Sequence, residues 1–93
     1  MRREPAHREK TIHELFYAQA RLHPDKTAVE DTRESWSYRD LDYRSNRLAN
    51  YLRANGIRTG DVVAIYGHRS VSLVWAILAV LKAGAVFLIL DPD

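Results

Sequence analysis

The stretch that decides the fold runs Gly60-Asp-Val-Val-Ala-Ile-Tyr66, then Val71-Ser-Leu-Val-Trp-Ala-Ile-Leu-Ala-Val-Leu-Lys82, then Val86-Phe-Leu-Ile-Leu90. The segments 62–66 and 86–90 are almost wholly apolar and rich in β-branched residues, the composition of strands buried on both faces of a parallel sheet. The segment between them reads as a helix, with Ser70 as its N-cap, Lys82 in its last turn and Gly84 just past its end. Strand, helix and strand form a βαβ unit with parallel strands, and the fold class is α/β. Read without a break, residues 71–90 would be long enough to cross a bilayer. Lys82, however, falls near the middle, where a charge costs about 2.5–3.5 kcal/mol. A buried helix and a buried strand are therefore expected, with no membrane contact.

Upstream, Thr11-Ile-His-Glu14 is a capping box, in which the Thr11 hydroxyl accepts from the Glu14 amide and the Glu14 carboxylate reaches back. The helix it starts carries Ile12, Leu15, Phe16, Ala20 and Leu22 mostly on one face, and Pro24 stops it near His23. Residues 26–30 and 34–38 flank the polar Asp31-Thr32-Arg33 and read as a hairpin. Ser37 then caps an amphipathic helix over 38–55, closed by Gly56, whose stripe is Leu41, Ser45, Leu48, Ala49 and Leu52. Tyr38, Tyr43 and Tyr51 are expected to pack this helix onto a sheet.

The chain has 93 residues, 46% hydrophobic and 28% charged, enough for at most one small domain and too apolar to stay disordered throughout. With no cysteine there are no disulfides, thiolate nucleophiles or Cys-based metal sites. A net charge of +2 is too even for a nucleic-acid footprint, although residues 1–10 form a basic tail in which Arg2, Arg3, Arg8 and Lys10 outnumber Glu4 and Glu9. The abrupt end after an apolar strand marks an incomplete sheet, because two such strands need cover on both faces and neighbours at both edges.

Two blocks resemble the adenylate-forming, AMP-binding superfamily, and within it the amino-acid adenylation domains of nonribosomal peptide synthetases and aminoadipate reductases. Ser35-Trp-Ser-Tyr-Arg-Asp-Leu-Asp-Tyr-Arg-Ser-Asn-Arg-Leu-Ala-Asn-Tyr-Leu52 is similar to the family's first core motif. Leu81-Lys-Ala-Gly-Ala-Val-Phe-Leu-Ile-Leu-Asp-Pro92 is similar to its second, with Ile89 where peptide synthetases usually carry proline, as in reductase-like members. The resemblance covers about residues 11–93 and implies the N-terminal, truncated part of an adenylation domain, a cytoplasmic ligase scaffold. ATP and magnesium are implied for the complete enzyme, with phosphopantetheine on a downstream carrier domain. The implied partner is the rest of the adenylation domain, in cis or in trans. The other reading is a non-catalytic remnant that completes its sheet against another chain.

No catalytic residue of that family carries over onto this chain. The one position that could offer helix-terminal amides to phosphate is the loop of Gly67, His68, Arg69 and Ser70, after a strand where α/β sheets bind ligands. It has a single glycine and reads first as a plain βα loop. His7, His13, His23 and His68 lack metal-ligand spacing. Asp40 and Asp42 read as cap and solvent charges, Lys82 as compensation of a helix dipole, and Asp91 as structural.

Overall fold

The computed structural model describes residues 11–67 and 70–90. Its elements are α1 (Ile12–Leu22), β1 (Thr27–Glu30), β2 (Ser35–Ser37), α2 (Tyr38–Ala54), β3 (Val62–Tyr66), α3 (Val71–Lys82) and β4 (Val86–Leu90). β1 and β2 pair antiparallel, with a register irregularity between Thr27 and Val29. β3 and β4 pair parallel, Val62 opposite Val86 through to Tyr66 opposite Leu90, with α3 as the crossover. The mixed α/β class with a hairpin before a parallel βαβ unit is thus present. The basic tail and the final Asp91-Pro92-Asp93 lie outside the described residues.

Local chemistry fixes the helix ends. The Thr11 hydroxyl accepts from the Glu14 amide at 3.2 Å and Glu14 Oε1 accepts from the Thr11 amide at 2.9 Å, closing the capping box of α1. Ser37 and Ser70 cap α2 and α3 by accepting from the amides of Asp40 and Leu73, each at 3.1 Å. α2 and α3 also end alike. Ile57 donates to the Leu52 carbonyl and Gly56 to Arg53, while Ala85 donates to Val80 and Gly84 to Leu81, two Schellman closures. Each turns through a glycine at positive φ, +97° at Gly56 and +84° at Gly84.

Trp36, Leu41, Val71 and Leu78 form the core, with Phe16, Ala28, Val29, Val74 and Trp75 packed on it. All three helices and the hairpin contribute, and burying Leu41, 2% exposed, contributes about 1.5–3 kcal/mol. The apolar stripe of α1 is only partly used. Phe16 and Ala20 turn inward while Ile12 is 66% and Leu22 69% exposed, because no layer lies on the other side of α1. Tyr43 and Tyr51 are also exposed instead of packing α2 onto a sheet; only Tyr38 goes inward, its ring 5.6 Å from that of Phe16.

β3 and β4, strands of a composition that calls for cover on both faces, have it on one, as the incomplete sheet read from the sequence leads one to expect. In register, Val63, Ile65 and Phe87 share one face and are half-buried, and α3 packs on these strands. Val62, Ala64, Tyr66, Val86, Leu88 and Leu90 share the other, and every one is exposed. Among the described residues this sheet has two strands and one cover.

Gly84 makes the α3 closure sensitive to substitution. A Cβ there would sit 3.1 Å from Thr59 Oγ1, whereas one at Gly56 meets nothing within 4 Å. Gly84→Ala is expected to cost more than Gly56→Ala, about 1–2 kcal/mol of backbone strain plus the contact. Urea midpoints of the two variants check this, and Thr59→Ala should recover part of the loss in Gly84→Ala only.

Candidate functional site

The α3 N-terminus is the position that the sequence offers to an anion. His68 and Arg69 lie outside the described residues. Ser70 is in place as the N-cap, its hydroxyl taken by the Leu73 amide. The Val71 amide, buried at the helix start, donates at 2.9 Å to Asp31 Oδ2, forty residues away in the hairpin turn. The other carboxylate oxygen, Oδ1, accepts from the amides of Arg33 and Glu34, both at 2.8 Å. One aspartate therefore shapes the β1–β2 turn and places its negative charge at the positive end of α3. These bonds hold the Asp31 carboxyl below its ordinary value of 3.8, the Val71 amide contributing most, then Arg33 and Glu34. Nothing in the sequence pairs Asp31 with Val71, although Asp31 is a turn former by type.

The second cluster surrounds Lys82. Its ammonium reaches Asp42 Oδ1 at 2.7 Å, Ser45 Oγ at 2.7 Å, Asn46 Oδ1 at 2.9 Å and the Asp42 carbonyl at 3.3 Å, and lies 5.3 Å from the centre of the Phe16 ring. Its side chain is 12% exposed. Lys82 does stand in the last turn of α3, but its charge is spent on α2 and not on the helix dipole alone. Asp42 is correspondingly an ion-pair partner and not a solvent charge, while Asp40 is exposed in the first turn of α2. Ser45, fully buried, is the polar gap in the α2 stripe that admits the ammonium. Arg53 adds a bond from Nη1 to the Lys82 carbonyl at 2.9 Å.

Beside this cluster a groove of about 680 Å³ opens between α1 and α2, where His13 Nδ1 is buried and makes no hydrogen bond. Among the described residues no group of three or more His, Asp or Glu side chains could hold a metal ion. No helix among them is long and apolar enough to cross a membrane.

The capped helices, hairpin and βαβ unit coincide with a known family. The model of the AMP-binding enzyme family matches residues 16–93. The chain belongs to that family. It is 45% identical over 86 residues to bacitracin synthase 3 of Bacillus licheniformis, covering 92% of this chain and 1% of that protein. It is 41% identical over 87 residues to the L-2-aminoadipate reductase large subunit of Penicillium chrysogenum, covering 87% of this chain and 6% of that protein. Among solved structures it resembles NpsA-ThdA, an artificially fused adenylation–PCP di-domain nonribosomal peptide synthetase from Klebsiella oxytoca. That match has a TM-score of 0.87 at 30% identity and covers 95% of this chain and 17% of that chain. The chain is thus an AMP-binding segment homologous to adenylation domains of both peptide-synthetase and aminoadipate-reductase type, and spans a small fraction of their length.

Two outcomes follow from the clusters. Lys82→Met is expected to destabilise the protein by about 1–3 kcal/mol, since it leaves the Asp42 carboxylate half-buried and unpaired. Restoring shape without charge at both ends, as Lys82→Met with Asp42→Leu, should cost less than the sum of the single changes in a double-mutant cycle of urea midpoints. For Asp31, the folded carboxyl lies below its unfolded value, so its contribution is present above about pH 3.8 and fades as pH falls through the lowered folded value. Asp31→Asn should therefore lower stability at pH 7, and the difference from the parent should shrink in acid denaturation curves below about pH 3.8.

Proposed function

We propose that residues 11–93 are the opening scaffold of an ATP-dependent adenylating enzyme of nonribosomal peptide synthetase or aminoadipate-reductase type. In the proposed reaction the carboxylate of an amino or other carboxylic acid attacks the α-phosphorus of ATP. The bond to the bridging oxygen breaks, pyrophosphate leaves with its electron pair, and an acyl-adenylate results. The acyl group then passes to the thiol of a phosphopantetheine on a carrier domain, with AMP as leaving group.

The observation that carries this reading is the match across almost the whole described fold, at TM-score 0.87 and 30% identity, to a chain containing an adenylation–PCP di-domain. Stabilising the charge that develops at phosphorus requires cations and fixed donors. In this segment the described candidates are already engaged: Lys82 by Asp42, Ser45 and Asn46, and the Val71 amide by Asp31. The described side chains also do not fit a magnesium site, so no step is assigned to a metal here. The segment contributes no catalytic group in this reading, with Ser70 serving as the N-cap of α3. Its partner is the remainder of the adenylation domain, which covers the apolar face of Val62, Tyr66, Val86, Leu88 and Leu90. Synthesis in the cytoplasm accords with a carrier-bound product.

The full natural polypeptide carrying these residues should catalyse ATP–pyrophosphate exchange that depends on one particular carboxylic acid from a panel of amino and aryl acids. Residues 11–93 alone should give none. Absence of acid-dependent exchange in the full polypeptide overturns the reaction, and exchange by the segment alone overturns its role as scaffold.

A further inference from the structure

Opposite the Lys82 cluster, the outer face of α2 meets α3 along a groove of about 520 Å³ lined by Tyr43, Arg44, Arg47, Leu48 and Trp75. Its two cations are held by aromatic rings. The Arg44 guanidinium carbon lies 4.2 Å over the centre of the buried Trp36 ring, and that of Arg47 lies 5.7 Å over Tyr43, to whose hydroxyl it donates at 3.4 Å. Trp75 is fixed in turn, its Nε1 donating to the Arg44 carbonyl at 3.0 Å and its ring edge-on to Trp36. Among the described residues neither guanidinium stands within ion-pair distance of a carboxylate; the pairs present are Arg39–Asp25 and Lys82–Asp42.

We propose that this groove docks an acidic segment of a partner polypeptide, with two carboxylates on Arg44 and Arg47 around an apolar side chain laid on Trp75 and Leu48. Charge complementarity carries the choice of occupant. A guanidinium stacked on a ring still presents its in-plane N–H donors, which match carboxylate geometry. Stacking also restricts the side chain beforehand, so less rotamer freedom is lost on binding. Arg44 and Arg47 are three residues apart on one helix face, about 5–6 Å between Cβ atoms, a spacing met by carboxylates two apart on an extended strand. Tyrosine, tryptophan and arginine around a small apolar floor are the residue types on which interface energy concentrates.

The test uses the full natural polypeptide and a fluorescein-labelled peptide Gly-Glu-Leu-Glu-Gly, with Gly-Gln-Leu-Gln-Gly as control, read by fluorescence anisotropy. Saturable binding is expected for the first peptide, weakened about tenfold or more by Arg47→Gln, which disturbs only the exposed Tyr43 contact, and weakened by raised salt. Tyr43→Ser, which leaves both charges, should weaken it less. Equal binding of the glutamine peptide, indifference to Arg47→Gln, competition by inorganic phosphate at equal concentration, or no saturation at millimolar peptide would each overturn the proposal. ATP–pyrophosphate exchange by Arg47→Gln is expected to be unchanged, so the result is independent of the adenylating role.

Discussion

An ammonium enclosed between two helices is the constraint on which the rest of this arrangement depends. Removing a lysine from water is costly unless its hydrogens find acceptors, and among the described residues the acceptors of Lys82 are on the first half of α2. That requirement fixes the rotation of α3 about its own axis. With α3 so turned, Val71 and Leu78 face Leu41 and Trp36, Trp75 meets the Arg44 carbonyl, and the α3 N-terminus comes to the Asp31 carboxylate. A leucine at position 82 would bury as much apolar surface but would carry no directional requirement of its own. The polar set selects one rotation.

The same logic separates what could be read in the sequence from what could not. Local signals were sufficient for the elements. The Thr11 box, the serine caps at 37 and 70, and the glycines at 56 and 84 are each satisfied within a few residues of themselves, and they placed helix ends to within a residue or two. The apolar runs 62–66 and 86–90 gave the parallel unit because composition alone distinguishes such strands. The long-range pairs were different. Asp31 with Val71 and Lys82 with Asp42 each join positions forty residues apart, and either residue type has an adequate local role, in a turn or in a last helical turn. A residue that is locally satisfied gives no sign of its distant partner. The tyrosines failed for the opposite reason: Tyr43 and Tyr51 are apolar enough to suggest packing, yet their positions on α2 face away from the only core available.

The uncovered face of the parallel sheet connects these observations to function. Six exposed residues on one side of two strands form a surface that a free-standing domain would be expected to hide, since contiguous exposed apolar patches mark interfaces. Helix α3 packs on the other side, and the chain spans a small share of its relatives' length. Under the proposed function more of the same domain covers this face, and the scaffold reading needs no separate binding partner to account for the bare strands.

Charge disposition gives an independent reason against anion binding at the α3 N-terminus. A phosphate drawn to the α3 N-terminus would meet the Asp31 carboxylate already bonded to its first amide, and like charges in contact repel. Displacing Asp31 would also cost the turn its two amide bonds to Arg33 and Glu34. The helix start is thus an internally neutralised joint, in keeping with the plain βα loop read first from the sequence, and its positive end fastens the hairpin to the βαβ unit. Fastening of that kind holds the hairpin and the βαβ unit together as one piece.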